Sequence, residues 1–463
     1  MKISPQGLFF TSNIVMILWQ IISATTKSYG GEKLRNFIKF LSVLGAVVCT
    51  LIFVLIYFAQ TTIPERVTIV EKTSYNMPQI FGFDLFNINS KTNLDVLRNN
   101  NEIVEHDAEI ELLNIIPIKN IKITNSKRKY VIPGGEIFGI KLYTDGVIIV
   151  DTDVVETTTG TINPAEKSGL MIGDIIKKID GVAIQSTKHL TKVLEKSQGN
   201  KMTITVVRDS KEINVTFKTY KDSISGKYKA GLWVRDGTAG LGTVTFYNPE
   251  NSSFAGLGHP IYDVDTDDIM PMKNGEMAEA SIKGLYKSSN GTVGELCGGL
   301  SGRSKGTLCR NCDEGIFGFT ICRKTETIPL AVRQEIVEGE AQIICTIDNS
   351  GPQYFDVEII KIYTNSTAVN KDMIVKVTDE ELINKTGGIV QGMSGTPIVQ
   401  NGYLVGAITH VFVNEPTQGY AIFAERMYET SVSREMQKYE QLKASWQNKR
   451  VESLWIPPDV FNV

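Results

Sequence analysis

Residues 387–412 read GGIVQGMSGTPIVQNGYLVGAITHVF, and the reading of the fold turns on this stretch. Gly392-Met393-Ser394-Gly395-Thr396-Pro397 sets a serine between glycines, and two short apolar runs joined at Asn401-Gly402 follow it, the pattern of a tight hairpin. Glycines beside a nucleophile let the chain turn sharply, so that backbone N–H groups face a developing oxyanion without side chains in the way. The same residues serve equally as a Gly-Ser turn in a β-barrel. The hexapeptide by itself leaves both readings open.

A serine hydroxyl needs a base within hydrogen-bond reach, and histidine is the usual one near neutral pH. The chain has four histidines. His106 lies in the polar stretch NNNEIVEHDAE, and His189 begins the helical segment KHLTKVLEKS. His410 stands in apolar AITHVF, where a core histidine is the commoner outcome. His259, in FAGLGHPIYDVDTDD, follows Gly256 and Gly258 at a strand-to-loop junction and precedes a carboxylate-rich turn, the better setting for an accessible base. Asp263 and Asp265 are candidate orienters of its ring, since such a carboxylate need only be close in space. Asp379, in KVTDEELINKTGG, reads as a helix N-cap with Glu380 and Glu381 in the first turn, a structural role worth about 1 kcal/mol.

Residues 134–218 contain GGEIFGIKLYTDGVIIVDT, then NPAEKSGLMIGDIIKKIDGVAI, then KHLTKVLEKS, then KMTITVVRDSKEINVTF. Asn163 caps a short helix begun by Pro164, Gly169 ends it, and a strand at 174–179 closes in the Asp180-Gly181 turn. This order resembles a PDZ domain, with residues 163–181 carrying the resemblance. It implies an extended peptide bound as an added strand. By the same resemblance the loop holding a terminal carboxylate is Phe138-Gly139-Ile140, and His189 flanks the groove, although His189 also reads as a solvated helix-start residue.

GLGHPIYDVDT together with TGGIVQGMSGTPIVQNGYLVGAITHVFVNEPTQGY resembles the stage IV sporulation protein B peptidases, serine peptidases of endospore-forming Firmicutes. The resemblance runs from about Val131 to Met427. It puts the nucleophile on Ser394, the base on His259 and the acidic member on Asp379, and the N–H groups of Ser394 and Gly392 are the expected oxyanion donors. The order His, Asp, Ser matches chymotrypsin-like proteases, but the short spacing from Asp379 to Ser394 is unlike theirs. The implied fold is mainly β with some α: an N-terminal transmembrane helix, a PDZ-like domain and a chymotrypsin-like, β-barrel-type serine peptidase domain. The resemblance further implies self-cleavage, then cleavage of a membrane-associated regulator of the intramembrane protease that matures the late mother-cell sigma factor. The PDZ-like groove would take the protein's own N-terminal segment or the target's tail. The chemistry needs no cofactor and no metal.

Residues 40–58, FLSVLGAVVCTLIFVLIYF, carry no charge and have about the length that crosses a bilayer core. Lys27, Lys33, Arg35 and Lys39 precede them against only Glu32, which places the N-terminus in the cytoplasm and everything after Glu65 across the membrane, in the forespore intermembrane space if the resemblance holds. A shorter apolar stretch at 8–22 leaves a second span open. The expected organisation is cytoplasmic N-terminus and anchor at 1–64, a β-rich leader at 65–130, the PDZ-like domain at 131–220, the peptidase at 221–430 and a tail at 431–463. Cys297, Cys309, Cys312 and Cys322 contain one C-x2-C pair, compatible with zinc, disulfides or free thiols. With 48 Lys plus Arg against 51 Asp plus Glu, there is no excess of positive charge to bind nucleic acid. The rival functions are a non-catalytic PDZ scaffold and a general envelope quality-control protease, although the latter usually carries its PDZ unit after the protease.

Overall fold

The computed structural model describes residues 32–70, 85–90, 105–365 and 368–441. The apolar stretch at 8–22 and the last part of the tail lie outside them. The chain divides into two compact units, within residues 1–127 and 128–463.

In the first unit, helix α1 (Glu32–Thr62) contains the apolar stretch Asn36–Thr62, within which an 18-residue window has mean hydropathy 2.7. Phe40, Val43, Val47, Leu51 and Val54 are all exposed, so the apolar surface does not form the one inward stripe of a soluble amphipathic helix. The helix is long and apolar enough to cross a membrane. Its end, at Ala59, is buried with Ile63 against a sheet ordered β1 (Arg66–Val70), β4 (Ile116–Ser126), β3 (Glu105–Leu112), β2 (Phe86–Ser90). Alternation along β4 buries Ile121 and Ile123 and leaves the opposite face polar. Lys119 Nζ donates to the Ile63 carbonyl at 2.6 Å and fastens the helix end to this sheet.

The second unit begins with β5 (Tyr130–Pro133) and β6 (Ile137–Thr152). The last residues of β6 enter the PDZ sheet, pairing with β7 (Ile175–Ile179), which pairs with β8 (Met202–Arg208) and through it with β9 (Lys211–Phe217). Helices α2 (Pro164–Ser168) and α3 (Thr187–Ser197) cover that sheet, burying Ala165, Leu190 and Leu194 against Ile176, Ile204 and Phe217. Asn163 caps α2 by accepting the N–H groups of Ala165 and Glu166 at 3.1 and 3.2 Å.

The first residues of β6 have a different destination. They pair on one side with β10 (Leu232–Tyr247) and on the other with β12 (Asn274–Tyr286). From β12 the ladder continues through β13 (Glu295–Cys312), β14 (Gly315–Thr320) and β11 (Ser253–Gly256) back to β10. These pairings close a barrel, with Phe138, Val244, Phe254 and Ile316 buried in one core. The strand that opens the PDZ unit is therefore also a stave of this barrel, and β10 likewise runs from the PDZ sheet into it.

A second barrel closes through β15 (Gly339–Cys345), β16 (Gln353–Ile362), β17 (Met373–Val377), β20 (Glu415–Phe423), β19 (Tyr403–Phe412) and β18 (Pro397–Gln400). Ile343, Phe355, Val375, Ile398 and Ile408 fill it. Helix α4 (Glu380–Thr386) leads from β17 toward the Gly392–Thr396 turn, and α5 (Ala424–Ser431) follows β20. Closing each sheet on itself removes the exposed edges that long antiparallel strands otherwise present.

Candidate active site

The turn at 392–396 belongs to the second barrel but is held by the first. The N–H of Thr243 on β10 donates to the Ser394 carbonyl at 2.9 Å, its hydroxyl to the Gly392 carbonyl at 2.9 Å, and the Thr245 hydroxyl to the Gly395 carbonyl at 2.7 Å. Both threonines are buried, so these bonds face little competition from water. Gly395 has φ +90°, and a Cβ there would lie 2.1 Å from the Thr243 carbonyl oxygen and 2.4 Å from Leu257 N. No larger residue fits the seam without backbone movement.

His259 approaches the same seam from the first barrel. Leu257 and Gly258, just before it, have φ +65° and +71°, and for leucine this is a strained conformation. A Cβ on Gly258 would stand 2.9 Å from Cγ2 of Thr409 on β19. The His259 ring packs on His410, with centroids 4.8 Å apart and planes inclined by 37°. Ser394 Oγ donates to the Thr409 carbonyl at 3.0 Å. One seam thus gathers Ser394, His259, Thr409 and His410.

Burial holds the His259 pKa below the ordinary histidine value, and its bond to the Pro260 carbonyl, Nδ1 to O 2.7 Å, partly opposes the shift. His410 is pushed down to about 4, by burial first and then by His259 and Lys371. Both rings are neutral near pH 7 on these shifts, so His259 can leave Nε2 as an acceptor when Nδ1 carries the proton. Among the described residues, the N–H groups of Gly392 and Ser394 have no protein acceptor.

The carboxylates are placed differently from expectation. Asp379 Oδ1 accepts the Leu382 N–H at 2.9 Å as the N-cap of α4, and Oδ2 accepts the Asp356 N–H at 3.3 Å. It makes no bond to His259. His410 aligns across β20 with Ile374 near the start of β17, whereas Val377, at the other end, is about 10 Å along at 3.3 Å per residue and Asp379 lies beyond it. Asp263 is buried, pairing with Arg235 at 3.2 Å and accepting the N–H groups of Asp265 and Thr266, and Asp265 also pairs with Arg235. Neither is bonded to the imidazole. Its Nδ1 partner is a backbone carbonyl.

The expected carboxylate loop also needs correction. Phe138, Gly139 and Ile140 lie within β6 near its start, opposite Gly242, Leu241 and Gly240 of β10, while Gly139 and Ile140 also face Ala278 and Met277 of β12. Barrel closure uses the ladder on both sides, so this segment is not an open anion nest. The unpaired edge lies elsewhere: Leu232–Arg235 of β10 pair with β6 on one side and, among the described residues, with no strand on the other. Helix α3 is tied there by Asp236, which accepts the N–H and hydroxyl of Thr187 at 2.7 and 3.1 Å. His189 occupies the first turn of α3, half-buried, its N–H donated to the cap Ser186.

Cys309 and Cys312 both stand on β13, and no group of three His, Cys, Asp or Glu side chains suited to a metal occurs among the described residues. Sequence reading missed Thr243 and the contact between His410 and His259. The only local sign of either was the apolar run around each.

Comparison with known proteins matches two families, both within the second unit. Residues 226–428 match the family described as SpoIVB peptidase S55, and residues 135–219 match the PDZ domain family. No curated protein matches the chain. Among solved structures, a PDZ domain of an SdrC-like protein from Listeria monocytogenes is 24% identical, with 19% of this chain and 87% of that one covered and a TM-score of 0.17. The HtrA-type protease AlgW with a decapeptide is 11% identical, covering 45% of this chain and 54% of that one, TM-score 0.27. A protease from M. tuberculosis in its active form is 14% identical, covering 42% and 73%, TM-score 0.24.

Proposed function

The chain is a serine peptidase of the SpoIVB S55 family with a PDZ domain, and from that premise we propose that Ser394 is its nucleophile and His259 its general base. The observation that carries this reading is the meeting of the Ser394 turn and His259 at one seam, with Gly258 and Gly395 allowing the approach. Ser394 Oγ turns from the Thr409 carbonyl to His259 Nε2 and attacks a peptide carbonyl while the imidazole takes its proton. The N–H groups of Gly392 and Ser394 receive the oxyanion. The imidazolium then protonates the leaving amine, and water repeats the sequence on the acyl-enzyme. Asp379 acts as the cap of α4.

The substrates are peptide segments of proteins. On the family resemblance, the first is the chain's own N-terminal region and the second a membrane-associated regulator of the intramembrane protease that matures the late mother-cell sigma factor during sporulation. Helix α1 anchors the enzyme, with the catalytic part exported. The PDZ unit takes an extended peptide, such as the N-terminal segment, along the open edge of β10 beside α3, where Trp233 is 60% exposed. Farther along that strand Thr243 holds the nucleophile turn, so docking and proteolysis share a stave.

A fluorophosphonate probe should label Ser394 in the full chain, and labelling should vanish in Ser394→Ala and in His259→Ala. N-terminal sequencing of the purified wild-type product beside Ser394→Ala locates self-cleavage, and extraction at alkaline pH should leave the uncleaved chain in the membrane. An unlabelled Ser394 in folded protein would favour a non-catalytic scaffold.

A further inference from the structure

One peptide group links His259 to the next turn of its own barrel. Its carbonyl, on Pro260, lies 2.7 Å from His259 Nδ1. Its N–H, on Ile261, donates to Oδ1 of Asn311 at 2.8 Å. The Asn311 Nδ2 group donates in turn to the carbonyls of Ile261 and Met270 at 2.9 and 3.0 Å. The whole amide of Asn311 is therefore committed to the backbone that follows the histidine. Just past Asn311, the β13–β14 turn presses on the backbone that precedes it: a Cβ on Gly315 would fall 2.5 Å from the Gly256 carbonyl oxygen and 2.9 Å from Gly258 N. The same hairpin end braces both sides of His259.

We propose that Asn311 is a positioning residue for the base, acting through the Pro260–Ile261 peptide to fix the carbonyl that accepts the Nδ1 proton and thereby to leave Nε2 facing Ser394. The proposal rests on the reading of His259 as the base. Among the described residues no carboxylate bonds to this imidazole, and its Nδ1 partner is the Pro260 carbonyl. A carbonyl can hold one tautomer and one ring direction only if its own peptide plane is fixed, and Asn311 fixes the opposite end of that plane. Donors and acceptors in series also polarise one another, so the Pro260 oxygen becomes a better acceptor when Ile261 N–H is engaged. The benefit is greatest when the imidazole becomes charged, because hydrogen bonds to ionised groups are the stronger ones.

The other titratable groups around the base are His410 on β19, with Lys371 acting on it, Asp263, already bound to Arg235, and the Cys312–Glu314 pair on the β13–β14 turn. They stay in place in the variants that test the proposal.

The test uses the full chain, counts active sites by burst titration, and follows kcat, KM and the rate of fluorophosphonate labelling of Ser394 against pH. Asn311→Ala should lower kcat and labelling per active site by about tenfold to a hundredfold with KM little changed. Its acid limb should move to lower pH, because the imidazolium loses a well-held acceptor. Asn311→Asp keeps an acceptor for Ile261 N–H and adds a negative charge, so its limb should move to higher pH. A merely structural role would lower thermal stability in both variants and leave the rate per site and both limbs unmoved, which overturns the proposal. His259→Ala serves as the separate control: wild-type labelling there overturns the base assignment and the proposal with it, whereas lost labelling there with unmoved Asn311 variants overturns the role of Asn311 alone.

Discussion

Ser394 Oγ donates to the carbonyl of Thr409 at 3.0 Å and not to His259. The bond holds the hydroxyl beside the strand that also carries His410, whose ring packs on His259. Releasing this acceptor costs little, since a neutral hydrogen bond of this kind is worth about 1 kcal/mol. Catalytic bonds often form only when substrate is bound, so a complex with a covalent serine inhibitor should show Oγ turned away from Thr409.

The pH profile should reveal the buried histidines. Since burial lowers the His259 pKa, the base stays unprotonated below the ordinary histidine value of about 6.5, and the acid limb of kcat/KM should lie lower still. An acid limb at or above that value would remove His259 as the base in this environment. Stability should follow the same sign. Both rings bind protons more weakly folded than unfolded, so their contribution is complete above about pH 6.5 and is lost as pH falls toward the His410 value of about 4.

Substitutions at the seam glycines should harm catalysis more than their size suggests. Gly395→Ala brings a methyl within 2.1 Å of the Thr243 carbonyl oxygen, and Gly258→Ala brings one within 2.9 Å of Thr409 Cγ2, each at positive φ. Because a displacement of about 1 Å at an active site can cost a hundredfold in rate, Gly395→Ala should lose at least that in kcat and Gly258→Ala somewhat less. Burst titration with an acylating substrate separates this from loss of folded protein.

Asp379 offers a sharp distinction. As the N-cap of α4, it should be replaceable by Asn with little loss, while Asp379→Ala should cost about 1 kcal/mol and a few degrees in Tm. A carboxylate orienting the base predicts instead a fall of about 10⁴ in kcat for Asp379→Asn. Steady-state kinetics of the two variants beside their melting curves decide between these roles.

Thr243 should matter to catalysis through the turn it holds at Gly392 and Ser394. Thr243→Val keeps the shape but removes the hydroxyl that binds the Gly392 carbonyl, leaving a buried acceptor without its donor. The expected cost is about 1–3 kcal/mol, seen as a fall of about tenfold or more in kcat, while Thr243→Ser should restore most of it.

Much of the site was legible because its signals are local. Gly-x-Ser-Gly needs its glycines for a turn within a few residues, a capped helix announces itself at Asp379 and Asn163, and helix α1 shows as a long uncharged apolar run. Phe138–Ile140 misled because the local pattern of a PDZ carboxylate loop is only an apolar-Gly-apolar sequence, which a barrel strand satisfies equally. His410 looked like a core residue because its neighbours are apolar, and it does face inward, but against another histidine.

The sequence by itself determined the Gly-Ser turn at 392–395, the histidine beside its glycines, the two families of domain and the apolar helix, all set by residue type over short spans. Only the tertiary structure decided that β6 and β10 serve two sheets, that Thr245 meets Gly395 across 150 positions, and that Asn311 meets Ile261 across 50. Such meetings depend on strand register and barrel closure. A one-residue slip exchanges the faces of a strand while leaving its composition intact, so no local pattern specifies them.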